Sequence, residues 1–365
     1  MLHRIQKIQE ILKQKNSDGM FVTNPKNIFY LTGFIGISPT ERESSLLITH
    51  DRALLFLPAM YEERAISQTH DIELIVDHER YGLLTSFTKY IQEKNCIFVE
   101  ANNLTVAEFE KIKSKTSAKI QPENFLIESL RVQKENQEIE FLKHACEITD
   151  QTFNALVQIL QNTDYTTLSE QDIADAMRSI SRELGAGGFG FDPIIASGAG
   201  SAEPHYFTST KKLVKDTPLL LDFGFHHNGY TADLSRTIFL GTACDEFKKM
   251  YSFVEECNAL CIQACKSGVT TQDLHLISND LFKEKNVEKH YLHSLGHGVG
   301  LDVHEAPGVG MNNPTLLKEN MTITIEPGLY FANKFGIRIE DVVLVTQTGC
   351  EVLSSQSPKN LIEIR

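Results

Sequence analysis

Two aspartates lie inside LLLDFGFHHNGYTADLSRTIF, a segment that otherwise reads as a buried hairpin. Asn228-Gly229 between two apolar runs is a strong hairpin signal. With those two residues as the loop, His227 pairs with Tyr230 and Gly224 falls opposite Asp233. Asp222 precedes Gly224 by two positions and so shares its face. Asp222 and Asp233 then become diagonal neighbours, roughly 7–8 Å apart at Cα. Two carboxylates at that distance can converge on one pair of metal ions, and Gly224, lacking a side chain, is expected to leave room for the pair. The alternative is two solvated aspartates, but LLLDFGF is too apolar for an exposed strand, and an aspartate buried there needs partners.

Two glutamates follow the same logic. In MTITIEPGLYF, Met321, Ile323 and Ile325 point one way while Thr322, Thr324 and Glu326 point the other. In GIRIEDVVLV, Ile337 and Ile339 face the core, and Arg338 and Glu340 share the opposite face. Either glutamate alone reads as a salt-bridge partner; beside two aspartates in apolar strands, both read as ligands. Between the two pairs lies HSLGHGVGLDVHE, which places His293, His297 and His304 at intervals of four and seven among glycines that allow close backbone approach. Four carboxylates with one imidazole make a hard, oxygen-rich site whose negative charge balances two divalent cations. Mn(II) is the metal expected, with Co(II), Fe(II) and Zn(II) also compatible.

The surrounding pattern supplies elements to hold these groups. Residues 1–15 form an amphipathic helix with Leu2, Ile5, Ile8 and Leu12 on one stripe. Strand-like runs follow at 19–23, 44–50, 53–57, 72–76 and 96–100, with helices expected at 81–94 and 105–115. This is a compact α/β domain ending near residue 130. From Ser129 a long amphipathic helix begins, or two in succession, with more helices at 167–184, 244–267 and 271–285. Strands are expected at 217–225, 230–240, 321–326 and 337–346. Strand pairs mixed with helices, without regular βαβ alternation, give an α+β class. The division expected is 1–130 and 131–365.

Composition sets limits. Of 365 residues, 41% are hydrophobic and 23% charged, which is globular usage. The net charge of -13 argues against nucleic acid as a partner. The Gly-rich stretch 185–201 lacks the Lys-Ser/Thr of a phosphate loop and the dinucleotide glycine spacing. Seven cysteines, with no disulfide spacing, suit a reducing compartment. Cys257, Cys261 and Cys265 recur every four residues and read as small apolar residues on a buried helix face. No signal-peptide or membrane-spanning run is present, so a cytoplasmic location with no membrane partner is expected.

The order Asp222, Asp233, His297, Glu326, Glu340 resembles that of the pita-bread metallopeptidase family, which includes proline peptidases, methionine aminopeptidases and creatinase-like proteins. The run His293-Ser-Leu-Gly-His297-Gly-Val-Gly-Leu-Asp-Val-His304-Glu305 resembles the signature of the proline-peptidase and creatinase branch. ASGAGSAEPHY (196–206) is similar to the family segment that carries a substrate-side histidine, here His205. NIFYLTGF (27–34) is similar to the start of a creatinase-like N-terminal domain.

The resemblance implies a smaller creatinase-like α/β domain followed by a pita-bread catalytic domain. It implies two divalent metals held by Asp222, Asp233, His297, Glu326 and Glu340, with Asp233 and Glu340 bridging. Glu326 would accept the proton of the attacking water, and His304 and His205 would hold the substrate carbonyl. His293 would pass a proton on, Arg338 would hold neighbouring carboxylates, and Tyr330 would line the pocket. The implied reaction is hydrolysis between an N-terminal residue and a proline at the second position, by a homodimer acting as an Xaa-Pro aminopeptidase or dipeptidase. Competing readings are a methionine aminopeptidase, which lacks a histidine like His293, and a metal-free creatinase-type hydrolase or non-catalytic binding protein, which would lack the five ligands.

Overall fold

A computed structural model describes residues 1–36, 42–78, 86–312 and 314–365. It divides into two compact units, Met1–Leu130 and Arg131–Arg365.

In the first unit, strands β1 (Gly19–Val22), β2 (Ser45–Thr49), β3 (Ala53–Pro58), β4 (Glu73–Asp77), β5 (Cys96–Glu100) and β6 (Lys119–Glu123) form one sheet in the order β4-β3-β2-β1-β5-β6. β1–β2 and β2–β3 are antiparallel; β3–β4, β1–β5 and β5–β6 are parallel. The N-terminal helix runs Leu2–Gln14 and buries Ile5, Ile8 and Leu12. Leu2 is instead exposed, and Arg4 occupies the buried stripe, donating to the Tyr30 carbonyl at 2.7 Å. Two helices absent from the sequence reading are Pro25–Thr32 and Glu62–Gln68. The first has its signals in plain view: Asn24 caps the N-terminus, Pro25 opens the first turn, and Gly33 closes it at φ 79°. Of the helix expected at 81–94, residues 81–85 lie outside the described residues, and Phe87–Tyr90 forms a 3-10 turn.

The second unit is α+β. Strands β7 (Ile194–Ser197), β8 (Thr217–Phe223) and β11 (Leu234–Leu240) pair antiparallel, and β19 (Glu363–Ile364) adds to β11. A second sheet is built from β12 (Gly296–Gly298), β13 (Glu305–Val309), β14 (Thr322–Ile325), β17 (Asp341–Val345) and β18 (Cys350–Val352), in the order β13-β12-β14-β17-β18. Helices Asn136–Asn162 and Glu170–Glu183 bury their apolar faces with the first sheet, around Phe153, Leu156, Leu219 and Leu221. Helices Asp245–Ala264 and Thr271–Glu284 do so with the second, around Phe247, Leu274, Ile323 and Val343. Cys257, Cys261 and Cys265 are fully buried in that second core.

Where strands were expected to run continuously through the acidic residues, they break. The run expected at 230–240 is Tyr230–Thr231 (β10) and then β11, interrupted at Ala232-Asp233. The run expected at 337–346 is β16 (Phe335–Arg338) and then β17, interrupted at Ile339-Glu340. β14 likewise stops at Ile325, and Gly328–Phe331 (β15) pairs with β16 in a separate hairpin. The chain changes sheet at each glutamate. Strand periodicity carries no trace of this, because the break is decided by which neighbour each half pairs with.

The hairpin register holds as counted. In β9 (His226–His227), His227 pairs with Tyr230 and His226 with Thr231; Phe223 pairs with Leu234 and Asp222 with Ser235, all in one register that sets Gly224 against Asp233. The reason for Gly224 differs from the one expected. A Cβ there would lie 1.7 Å from the Ala232 carbonyl oxygen, so the missing side chain admits the opposite strand rather than metal. Gly224→Ala is expected to destabilise the protein by about 3 kcal/mol, as overpacking against backbone does. A thermal midpoint equal to that of the native protein would contradict this.

An ion cluster at Glu305 ties β13 to the start of the second unit. Lys134 lies 3.1 Å from Glu305 Oε2, and Arg131 bonds both Glu305 and Asp302. Burial alone would push the Glu305 carboxyl up, but Lys134 and Arg131 outweigh it and hold it at about 2. A depressed folded-state value stabilises the protein above the unfolded-state pKa near 4.3 and ceases to do so as pH falls toward 2. Roughly 3 kcal/mol should therefore be lost across that window. Urea midpoints at pH 7 and pH 3 check it: the pH dependence should shrink in Glu305→Gln, and an identical dependence in both proteins would refute the assignment.

Candidate active site

Five side chains on or beside the two larger sheets of the second unit meet at one cavity of about 350 Å³. Asp222 comes from β8, Asp233 from the residue before β11, and His297 from β12. Glu326 comes from the residue after β14, and Glu340 from the residue before β17. Close packing of β12 allows this: a Cβ on Gly296 would lie 2.2 Å from the Thr324 carbonyl oxygen. Ligand atoms of Asp233, His297 and Glu340 all lie within 4.8 Å of one another. His297 Nε2 is 3.7 Å from Asp233 Oδ2 and 3.2 Å from Glu326 Oε1.

The supporting hydrogen bonds fix these groups. Thr324 Oγ1 accepts from the His297 backbone N–H at 3.0 Å and donates to Glu326 Oε1 at 3.1 Å. Ser235 Oγ donates to Glu340 Oε2 at 2.6 Å. Arg338 spreads its donors over Ser235 Oγ (2.8 Å), the Tyr330 hydroxyl (2.7 Å) and Asp222 Oδ2. The fully buried Arg236 bonds Asp341 Oδ1 at 2.8 Å and the Glu340 carbonyl, anchoring the backbone where the chain changes sheet. Ser235 and Thr324 escaped the sequence reading as supports. Ser235 was findable as the register partner of Asp222, and Thr324 as the residue two before Glu326 on the same face.

Electrostatics sets two of the carboxyls apart. Burial first, then the charges of Glu340, Asp222 and Glu326, push Asp233 well above the carboxylate range. Burial, then Glu326 and Asp222, push Glu340 up in the same way. Burial also acts on Glu326, but the His297 hydrogen bond and charge, with His293 and Arg338, leave it at about 2. Four acidic groups pressed together this way call for cations. Asp222 Oδ1 and Glu340 Oε1 are moreover buried with no hydrogen-bond partner among the described residues. Unbonded carboxylate oxygens beside one imidazole are the donor set that hard divalent ions take, so the residues fit a metal site.

The remaining residues named from sequence surround it. His304 lines the cavity, its ring 4.3 Å from that of His297, and His205 stands exposed at the rim. Arg338 reaches the wall. Tyr330 does not line the cavity. It is 2% exposed and sits behind Arg338, with its hydroxyl also 2.8 Å from His293 Nε2. His293 lines the cavity, but Nδ1 faces the Ser294 carbonyl at 2.7 Å and Nε2 faces the tyrosine hydroxyl. An Nδ1–H donor to the carbonyl leaves Nε2 to accept from Tyr330. Burial pushes the pKa of this imidazole down. The geometry thus makes His293 and Tyr330 props for Arg338, with no imidazole nitrogen turned to the cavity for passing a proton. Phe191, Ile194 and Val303 add an apolar wall that sequence did not point to.

Such a constellation on this fold defines a metal-dependent hydrolase, and residues 140–347 match the model of metallopeptidase family M24, while residues 4–133 match that of the creatinase/prolidase N-terminal domain. The chain belongs to metallopeptidase family M24 and is a metallopeptidase with the pita-bread fold. The Xaa-Pro dipeptidase of Pyrococcus furiosus is 31% identical over 365 residues, 97% of this chain and 98% of that one. The solved structure of the Xaa-Pro dipeptidase from Bacillus anthracis matches with a TM-score of 0.93 at 31% identity, covering 99% of each chain. That of the X-Pro aminopeptidase from Thermotoga maritima matches at 0.86 and 30%, covering 96% of this chain and 98% of the other. Membership of the family implies divalent metal ions. No helix among the described residues is long and apolar enough to cross a membrane.

Proposed function

We propose that this protein is a proline peptidase, cutting between an N-terminal residue and a proline at the second position. Asp222, Asp233, His297, Glu326 and Glu340 would hold two divalent ions, Mn(II) by preference, with Asp233 and Glu340 shared between them. The observation that carries the reading is the meeting of these five side chains at one cavity, with two buried carboxylate oxygens that have no hydrogen-bond partner among the described residues. Bound there, such ions supply the Lewis acidity that activates water and polarises a scissile carbonyl.

The chain's own residues do the rest. Glu326 accepts the proton of the attacking water and returns it to the proline nitrogen as the C–N bond breaks. His304 and His205 offer donors to the carbonyl oxygen as negative charge develops on it. Arg338 orients Asp222 directly and Glu340 through Ser235. Phe191, Ile194 and Val303 offer side chains that accept no hydrogen bond, which suits the tertiary amide of an Xaa-Pro bond, since that amide has no N–H to satisfy. Residues 1–130 would be the creatinase-like domain and 131–365 the catalytic one, in a cytoplasmic homodimer.

Hydrolysis of Ala-Pro and Ala-Pro-Ala beside Ala-Ala-Ala, with Mn(II), Co(II), Fe(II), Zn(II) or chelator added, tests this reading. Metal-dependent cleavage of the proline peptides alone is expected. Equal cleavage of Ala-Ala-Ala, or activity undiminished by chelator, would overturn it.

A further inference from the structure

Glu326 and Glu340 stand just outside β14 and β17, past the last ladder pair, Ile325 with Asp341. The peptide units that carry them are pinned at both ends. At the nitrogen ends, the Glu326 N–H donates to the Leu295 carbonyl at 2.8 Å and the Glu340 N–H to the Ser235 carbonyl at 3.0 Å. The carbonyl ends, at Ile325 and Ile339, share a partner. The side-chain amide of Asn258, in the helix Asp245–Ala264, donates to Ile325 at 3.0 Å and to Ile339 at 3.4 Å. Resting on the two-metal reading of the site, we propose that Asn258 is a positioning residue for the metal centre: its amide sets the spacing of Glu326 and Glu340, and Lys359 holds that amide in the orientation this needs.

An asparagine is out of place at this position unless its amide is used. Asn258 is fully buried, on the helix face that also buries Tyr251, Val254 and Cys261. Asparagine is a poorer helix former than alanine or leucine, and an amide in an apolar core is costly without partners. Here the two Nδ2 hydrogens go to the two carbonyls, and Oδ1 accepts from Lys359 Nζ at 2.9 Å. Carbonyl oxygens only accept and an ammonium only donates, so these partners fix which end of the amide faces the glutamates. The same ammonium lies 2.7 Å from Asp341 Oδ2, on the residue after Glu340. Arg236 holds the Glu340 carbonyl from its other side, but Asn258 is common to both glutamates.

The spacing matters to one ion more than to the other. Glu340 would be shared between both, while Glu326 would serve the ion beside His297, whose Nε2 is 3.2 Å from Glu326 Oε1. That ion needs both glutamates at a set separation. The ion on the Asp222 side does not use Glu326. Groups that orient metal ligands from behind are worth about ten- to a hundredfold in affinity. Loss of the Asn258 amide should therefore weaken one ion and largely spare the other.

The test titrates Mn(II) into the chelator-stripped full chain by calorimetry and records the electron paramagnetic resonance of the loaded protein. It compares the native protein with Asn258→Leu, Lys359→Met and Lys359→Arg. Leucine keeps the volume of the side chain and removes its hydrogen bonds. The native protein should bind two ions and give the exchange-coupled signal of a pair. Asn258→Leu should bind one ion with near-native affinity and the other about tenfold or more weaker. Its coupled signal should be lost at Mn(II) concentrations that saturate the native protein. Lys359→Met should weaken the same ion to a smaller degree, and Lys359→Arg should recover part of that loss. A merely structural role would not single out one ion. Should thermal melting in chelator show Asn258→Leu to be unfolded, the two lysine variants decide by the same measure. Native affinities for both ions in Asn258→Leu and Lys359→Met, or equal weakening of both ions, would overturn the inference and leave the two-metal reading intact. A native protein that binds one ion or none would overturn both.

Discussion

Glu340→Gln is expected to lose activity by a factor on the order of a thousand, about 4 kcal/mol of transition-state stabilisation, while remaining folded. Glutamine keeps the size of the side chain and an oxygen for the Ser235 hydroxyl, which donates to Glu340 Oε2 at 2.6 Å. It removes the charge that would balance the cations. The same change should leave the metal-free protein as stable as the native one, or more so. Burial and the charges of Glu326 and Asp222 already push the Glu340 carboxyl well above its ordinary range, so a neutral amide relieves a repulsion. The two readouts separate a ligand from a structural residue. Mn(II) at a hundred times its dissociation constant should stabilise the native protein by about 2.7 kcal/mol, and that gain should shrink sharply in the variant. Near-normal turnover in Glu340→Gln would remove Glu340 from the ligand set.

Arg338→Lys carries the second large effect. Arg338 is 3% exposed and holds Asp222, Ser235 and Tyr330 at once from a planar fork. An ammonium is a point charge on a flexible stem and cannot reproduce three divergent bonds. Turnover should fall on the order of a hundredfold, about 2.7 kcal/mol, with weaker Mn(II) binding because Asp222 and Ser235 lose their common brace. Arg338→Met goes further: with its charge partner gone, Asp222 is left buried and unpaired, at a cost of about 3–5 kcal/mol. Denaturant midpoints with and without Mn(II) check both variants. A methionine variant as stable as the native protein in chelator would show that Asp222 does not depend on Arg338.

The part of this site readable from sequence is the part governed by local geometry. Asn228-Gly229 sets the turn, the turn sets the register, and the register places Asp222 and Asp233 on one face; each step involves residues close in the chain. Strand alternation likewise put Arg338 with Glu340 and Thr324 with Glu326. Alternation says nothing of where a strand leaves one sheet for another, so the interruptions at Asp233, Glu326 and Glu340 went unforeseen. Gly224 was assigned the wrong neighbour for a similar reason: its tight contact is with the Ala232 backbone, visible only once the strands are paired. Tyr330 lies four residues after Glu326, and sequence could not show that its hydroxyl would stop behind the cavity wall, bracing Arg338 and His293. The helix Pro25–Thr32 is a different case, since its cap, proline and closing glycine were all present in the chain.

Anomalous diffraction at the manganese edge from Mn(II)-loaded crystals tests the central claim most directly. Two peaks are expected, both between Asp222, Asp233, His297, Glu326 and Glu340, with Asp233 and Glu340 touching each. One peak, no peak, or peaks coordinated by other side chains would contradict a two-metal centre built from these five residues.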